Sequence, residues 1–448
     1  MARTTRIFCV STLYGAATLA AALDAGLFEP ADRRILLVTN NAANPEITPC
    51  VDAMPGFARI RERFDEVLSW NETIAPFHPG GWSPRGDDIP MWERYVRLLW
   101  DLGDDEIRLA VESVQVNPAL ALCQLFTGAP VDVYADGLIS YGPTRDKIDP
   151  LVGTRIERLL HLDLVPGLTP LLLTEFGVPP ELVPTEAFLK VLSELAEDEE
   201  EGELPSAEEQ PALLLGQYLS ALGILTDAEE EELHLRMVRG AVAMGHRRLV
   251  FKPHPVAPPR WSRLLEDEAD RLGARLTLLD RPVLAEVAFQ RIRPALVVGC
   301  FSTALLTAAG LYGIPVARVG TDTLLSRLAP YQNSNRVPLT IVDALLPDLG
   351  DEAAVTGWRM PGRERVDEMA ALLAAVGFAM QPRIQPQLRP AAEKYLSKHL
   401  DAHTWRYFKR RRLTSLALPG AVPAQLSFIP RNATVRRLVR RARALSRR

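Results

Sequence analysis

Four cysteines in 448 residues, Cys9, Cys50, Cys123 and Cys300, stand far apart, with no CxxC pair and no histidine at ligand spacing. That argues against a disulfide framework and a zinc site, and it fits a reducing compartment. GxGxxG and GxxxxGK[ST] are both missing. Dinucleotide redox chemistry and P-loop phosphoryl transfer go with them. No stretch reaches the roughly 20 apolar residues of a spanning helix. The N-terminal run through Leu23 imitates a secretory signal, but Ser11, Thr12 and Tyr14 interrupt it and Asp24 ends it. A first strand followed by an alanine-rich helix is the expectation there.

Acidic residues are missing from one place. Residues 405–448 hold 13 of the 51 Lys and Arg side chains and none of the 56 Asp and Glu, leaving 38 basic against 56 acidic in the body. A basic tail on an acidic body predicts either an anionic surface as partner, such as lipid headgroups, or a helix packed across the back of the protein. The acidic body and the absence of a nucleic-acid motif exclude nucleic acid as the expected partner.

What is present is alternation. Arg6–Val10, Ile35–Thr39, Glu66–Leu68, Ile107–Ser113 and Val131–Ala135 read as short apolar strands, with helices over Ala16–Ala25, Met91–Leu102 and Pro118–Phe126. Beyond Arg155 the pattern predicts helices punctuated by proline, then an acidic low-complexity stretch over Glu197–Glu209. A second alternating block follows. Its strands are Ala212–Gly216, Arg248–Lys252, Leu276–Leu279, Leu296–Val298 and Pro315–Arg318, with a last strand expected over Leu339–Leu345. Its helices are Asp227–Met244, Trp261–Leu272, Leu284–Gln290, Phe301–Leu311 and Arg363–Ala375. Strands alternating with helices build parallel sheets that bind ligands at their C-terminal strand ends. The expected layout is an α/β protein of two Rossmann-like domains facing a cleft: the first over 1–165, a helical and acidic linker over 166–210, the second over 211–380, and a basic helical extension over 381–448.

Chemistry-bearing residues cluster at those strand ends. Lys252-Pro253-His254-Pro255 follows a strand, and its prolines fix the loop, so His254 is held where an imidazole can bind a phosphate. Gly299-Cys300-Phe301-Ser302-Thr303 joins a strand to a helix N-terminus, which suits a phosphate or simple N-capping. Gly216-Gln217 is expected to line the same pocket. In the first block Asp136-Gly137 ends a strand, as a general base or as a plain turn. Glu112, Gln115 and Asn117, and Asn40 with Asn41, are candidate sugar-binding groups. His161, His234, His246, His399 and His403 have no ligand-like partners, and no metal is expected.

The segments YADGLISYGPTR (134–145), GQYLSALGILTDAEE (216–230), RLVFKPHP (248–255), CFSTALLTAAGLYGIPVARVG (300–320) and NSNR (333–336) together resemble the bacterial alpha-2,8-polysialyltransferase-like family. The resemblance implies a metal-independent enzyme of the GT-B fold. It would transfer sialic acid or a related nonulosonic acid from a CMP-linked donor to a glycan or glycolipid hydroxyl with inversion. With the cysteine usage this gives a cytoplasmic protein, and the basic tail adds peripheral membrane attachment as one of its two readings. The family's acidic-acidic-Gly, His-Pro and Ser/Thr motifs fall on Asp136-Gly137, His254-Pro255 and Ser302-Thr303. They imply Asp136 as base, His254 as acid and phosphate ligand, and Lys252, Ser302 and Thr303 around the donor. Ala135 departs from the pattern, because the motif has its first carboxylate there; were that position the base, the protein would be crippled or would rely on Glu112 or another acid. Two other readings use the same scaffold: an inactive GT-B-like scaffold protein of polysaccharide assembly, and a UDP-sugar epimerase.

Overall fold

The computed structural model describes residues 3–135, 137–197, 210–254 and 262–421. Asp136, Pro255, Trp261, most of the acidic stretch and residues 422–448 therefore lie outside the described residues.

Seven strands form the first sheet: β1 (Thr4–Val10), β2 (Arg33–Val38), β3 (Glu66–Ser69), β4 (Glu106–Glu112), β5 (Val131–Tyr134), β6 (Ile156–His161) and β7 (Pro180–Leu182). Their order is β3-β2-β1-β4-β5-β6-β7, and every pair is parallel. Five strands form the second: β8 (Ala212–Leu215), β9 (Arg248–Lys252), β10 (Arg275–Leu278), β11 (Leu296–Gly299) and β12 (Val316–Arg318), in the order β10-β9-β8-β11-β12, again all parallel. Runs such as Ile35-Leu36-Leu37-Val38 and Leu296-Val297-Val298 are buried throughout. A strand covered by helices on both faces needs such unbroken apolar sequence. Two doubly wound units of this kind are the α/β, GT-B-type architecture that the sequence predicts.

Two expectations are corrected. The region past Arg155 carries only a 3-10 turn, Thr174–Phe176, before the helix at residue 185, because β6 and β7 extend the first sheet there. Their Leu, Glu and Arg side chains carry no β-branched signal beyond Ile156, so pairing with β5 decides their state rather than propensity. Conversely, Leu339–Leu345 is not a strand but the end of helix Arg336–Leu345, buried on nearly every side. A short apolar run reads alike in both states.

The units are tied together. Helix Thr185–Glu197 packs against both Leu13–Asp24 of the first and Ala285–Ile292 of the second, and one apolar cluster runs through both. After helix Arg363–Met380 the chain returns to the first unit. Gln381 Nε2 donates to the Arg145 carbonyl at 2.6 Å, and the fully buried Gln385 donates to Glu175 at 2.8 Å while accepting from Thr174 Oγ1 at 3.0 Å. The described part of the basic tail is docked, not free. Tyr407 donates to Asp343 at 2.8 Å, Lys409 Nζ to the carbonyls of Leu325 and Ser326, and Arg412 to those of Ala379 and Met380.

Candidate functional site

In each sheet the strand order reverses once, between β1 and β4 and between β8 and β11. Such switch points open crevices at the C-terminal ends of the strands.

At the first, a cavity of about 170 Å³ is lined by Ser11 after β1, Thr39 and Asn41 after β2, Glu112 at the end of β4 with Ser113, Gln115 and Asn117 after it, and Ala135, Ser140 and Arg145 after β5. Glu112 is paired in register with Tyr134, whose hydroxyl donates to the Cys9 carbonyl at 2.8 Å and fixes the wall. Ser11 Oγ donates to Glu112, and Thr12 Oγ1 also donates to it at 3.4 Å. Thr12 caps helix Leu13–Asp24 as well, accepting from Gly15 N at 3.0 Å. Gly15 lets that helix start against the site: a Cβ there would lie 3.1 Å from Glu112 Oε1. Of the expected acceptor residues, Glu112, Gln115, Asn117 and Asn41 line this cavity together. Asn40 does not join them. Its amide donates to the carbonyls of Pro45 and Thr48, holding its own loop, as short polar side chains do after strands. Ser11, Thr39, Ser140 and Arg145 are cavity residues that sequence reasoning did not single out. Arg145 had a signal, because it closes the YADGLISYGPTR segment.

At the second switch point Gly216 follows β8 beside Lys252. Its N–H donates to the Lys252 carbonyl at 2.9 Å, and a Cβ would meet Phe251 Cζ at 2.7 Å. Glycine is required because the β9 backbone and the Phe251 ring fill the space a side chain needs. Lys252 is buried, and burial lowers its ammonium pKa to about 8, partly opposed by the Glu286 carboxylate. Glu286, itself raised by burial, accepts from Thr307 Oγ1 at 2.7 Å. Burial, with Lys252 second, lowers the His254 imidazole to about 4, so it is neutral at pH 7. Its ring lies 4.0 Å from that of Tyr218, which the sequence did not flag. Gln217 N donates to His234 Nε2 at 3.5 Å, while its own Oε1 is buried without a partner among the described residues. Ser302 acts as an N-cap, accepting from Ala304 N at 3.2 Å. Thr303 reaches the other unit: its Oγ1 accepts from Leu138 N at 3.3 Å. Asp136 and Pro255 lie outside the described residues, but the neighbours of Asp136 do not. Ala135 is a buried wall of the cavity, and Gly137 turns at φ 67° against Thr303.

Among the described residues no group of three or more His, Cys, Asp and Glu side chains is arranged to hold a metal ion, and no helix is long and apolar enough to cross a membrane. A family model described as alpha-2,8-polysialyltransferase matches residues 6–321.

The chain belongs to the alpha-2,8-polysialyltransferase family.

Four of the five resembling segments lie within the matched region of this polysialyltransferase-family protein, and both switch points do too. Family membership makes it a sialyltransferase-like glycosyltransferase. No curated protein matches the sequence. Among solved structures, the glycosyltransferase UGT73P12 of Glycyrrhiza uralensis is 11% identical with a TM-score of 0.42, covering 89% of this chain and 98% of its own. MurG of Acinetobacter baumannii is 12% identical with a TM-score of 0.41, covering 87% and 99%. A UDP-N-acetylglucosamine 2-epimerase is 11% identical with a TM-score of 0.38, covering 93% and 96%.

Proposed function

We propose that this protein transfers sialic acid, or a related nonulosonic acid, from a CMP-linked donor to a glycan hydroxyl without a metal. The observation that carries the reading is the contact of Thr303 with Leu138, which sets the strand ends of the second sheet against the loop that follows β5. Donor groups on one side and acceptor groups on the other then share one crevice. Asp136 takes the proton of the acceptor hydroxyl, whose oxygen bonds to the anomeric carbon. The bond from that carbon to the phosphate oxygen breaks, and CMP leaves with the electron pair. The leaving phosphate is acidic enough to depart unprotonated, so its charge needs neutralising more than a proton. Lys252, still mainly protonated at pH 7, supplies charge, and the neutral His254 donates a hydrogen bond. His254 is therefore a phosphate ligand first, and becomes an acid only when bound phosphate raises its pKa. Ser302 and Thr303 stand at the same helix N-terminus, and Gly216 and Gln217 border Lys252 and line the donor side. Glu112 offers a second carboxylate in the acceptor cavity, beside Ala135 where the motif has an acid.

Thermal stabilisation by CMP, against UMP, UDP, GDP and ADP, tests the donor class. At 100 times its dissociation constant a ligand adds about 2.7 kcal/mol. Stabilisation by CMP alone, lost in His254→Ala, is expected. Stabilisation by UDP instead would move the reading to an epimerase or another transferase, and no response to any nucleotide would leave a scaffold protein. Activity in Asp136→Asn and Glu112→Gln then separates the two carboxylates: the base is the one whose amide abolishes transfer while CMP still binds.

A further inference from the structure

Several buried or half-buried guanidinium groups among the described residues are held by the protein's own acceptors. Arg6 lies against Asp132 at 2.6 Å, Arg318 against Asp348 at 3.0 Å and Asp343 at 3.3 Å, and Arg155 donates to the carbonyls of Cys123, Phe126 and Ala129. Arg145 is different. It lines the cavity of the first unit with its Nε buried and unpartnered, and its guanidinium has no ion pair or hydrogen bond among the described residues. Its backbone, by contrast, is fixed on both sides, N–H to Gln115 Oε1 at 2.5 Å and carbonyl from Gln381 Nε2 at 2.6 Å. Gln115 is only 6% exposed, and its Nε2 is buried without a partner in the same cavity. Asn117 Oδ1 is a third such atom there.

Native proteins leave few buried polar groups unsatisfied. Two donors and an acceptor left open around one cavity describe the ligand that closes them. A cationic fork beside an amide N–H suits a carboxylate, which takes two parallel bonds from arginine. A phosphate dianion suits it less, because the Glu112 carboxylate lines the same space. The volume of about 170 Å³ is below the roughly 300 Å³ at which pockets for whole drug-sized ligands begin, so one end of a sugar fits.

We propose that this cavity is a carboxylate subsite, in which Arg145 and Gln115 Nε2 hold the acid group of a sugar acid and Asn117 Oδ1 accepts from a hydroxyl or amide of the same ring. The proposal rests on the glycosyl-transfer reading above and makes Arg145 the residue that selects acidic over neutral sugars. Donor sugar and acceptor terminus can each supply such a group, and the test separates them.

Calorimetric titration of the full chain with a sialic acid trisaccharide, with its methyl ester, with CMP and with CMP-sialic acid is compared between wild type and Arg145→Met. Loss of a charge-assisted bond predicts that the acid form binds wild type about 10- to 100-fold more tightly than the ester, and that Arg145→Met binds both equally. A loss confined to the trisaccharide assigns the subsite to the acceptor. A loss confined to the extra affinity of CMP-sialic acid over CMP assigns it to the donor. Gln115→Glu keeps the acceptor for Arg145 N but replaces the open donor with a repelling oxygen, and it should weaken the same acid form. Equal binding of acid and ester by wild type, binding of neither, or unchanged preference in both variants would overturn the proposal. CMP binding to wild type is read separately, so failure of the CMP-donor reading leaves the acid-against-ester comparison standing.

Discussion

Thr303 Oγ1 accepts the backbone N–H of Leu138 at 3.3 Å, and a Cβ built on Gly137 would lie 2.4 Å from the same oxygen. One hydroxyl from the first turn after β11 thus seats the loop after β5, and only a glycine at 137 allows so close an approach. The loop that carries Asp136 in sequence is in this way gauged by a residue of the other unit.

Gly137→Ala is expected to cost about 2–5 kcal/mol, combining left-handed backbone strain with a clash against Thr303. Thr303→Ala alone should cost about 1 kcal/mol, the hydrogen bond from Leu138. The double variant should recover the clash and keep the strain, so it is more stable than the sum of its parts. Urea midpoints measure this cycle, and strict additivity would show that the two residues do not meet.

His234 gives the fold an acid limit. Burial lowers its pKa to about 4, and the neutral Nε2 accepts from Gln217 N. The unfolded chain binds this proton near pH 6.5 and the folded chain does not, so stability is lost as pH falls from about 6.5 toward 4. Between pH 7 and 5 the loss should be about 2 kcal/mol from His234, with His254, also lowered to about 4, adding its own share. His234→Gln should flatten the fall in urea stability over that range. An unchanged slope would mean that other groups set it.

The described part of the basic tail is anchored on Asp343. Asp343, fully buried, accepts from Tyr407 at 2.8 Å and from Thr321 at 2.6 Å, and pairs with Arg406 and Arg318. Tyr407→Phe should lower stability by about 1–2 kcal/mol. A chain ending at Leu400 should be far less stable, because it uncovers a buried carboxylate. A chain ending at Ala421 should lose binding to anionic vesicles, since eight basic residues lie in 431–448. Retained sedimentation with vesicles would exclude the membrane role for that segment.

The resembling segments at 216–230, 248–255 and 300–320 come together at one end of the second sheet because β9, β8 and β11 are neighbouring strands, each a short buried run followed at once by polar residues. The sequence left N-capping and phosphate binding both open for Ser302, which caps the helix at Ala304, and it gave no sign that Thr303 contacts Leu138. Nor could it separate Asn41 from Asn40: both follow β2, and only the loop geometry sends one amide to the cavity and the other to Pro45 and Thr48. Arg145 was overlooked because an arginine in a loop is ordinarily solvated. That its Nε lacks a partner among the described residues is visible only in the folded chain.

By itself the sequence determined the two alternating units, the ends of most strands and the chemical character of each strand-end loop. Apolar runs of fixed length and the residues that stop them are local properties, written in consecutive positions. Tertiary structure alone decided that β6 and β7 join the first sheet, that Leu339–Leu345 is helical, and that the tail from Trp405 packs on Asp343 and Leu325. It also decided which polar groups share a cavity. Those outcomes depend on pairing and burial between residues tens to hundreds of positions apart, where local preference is too weak to choose.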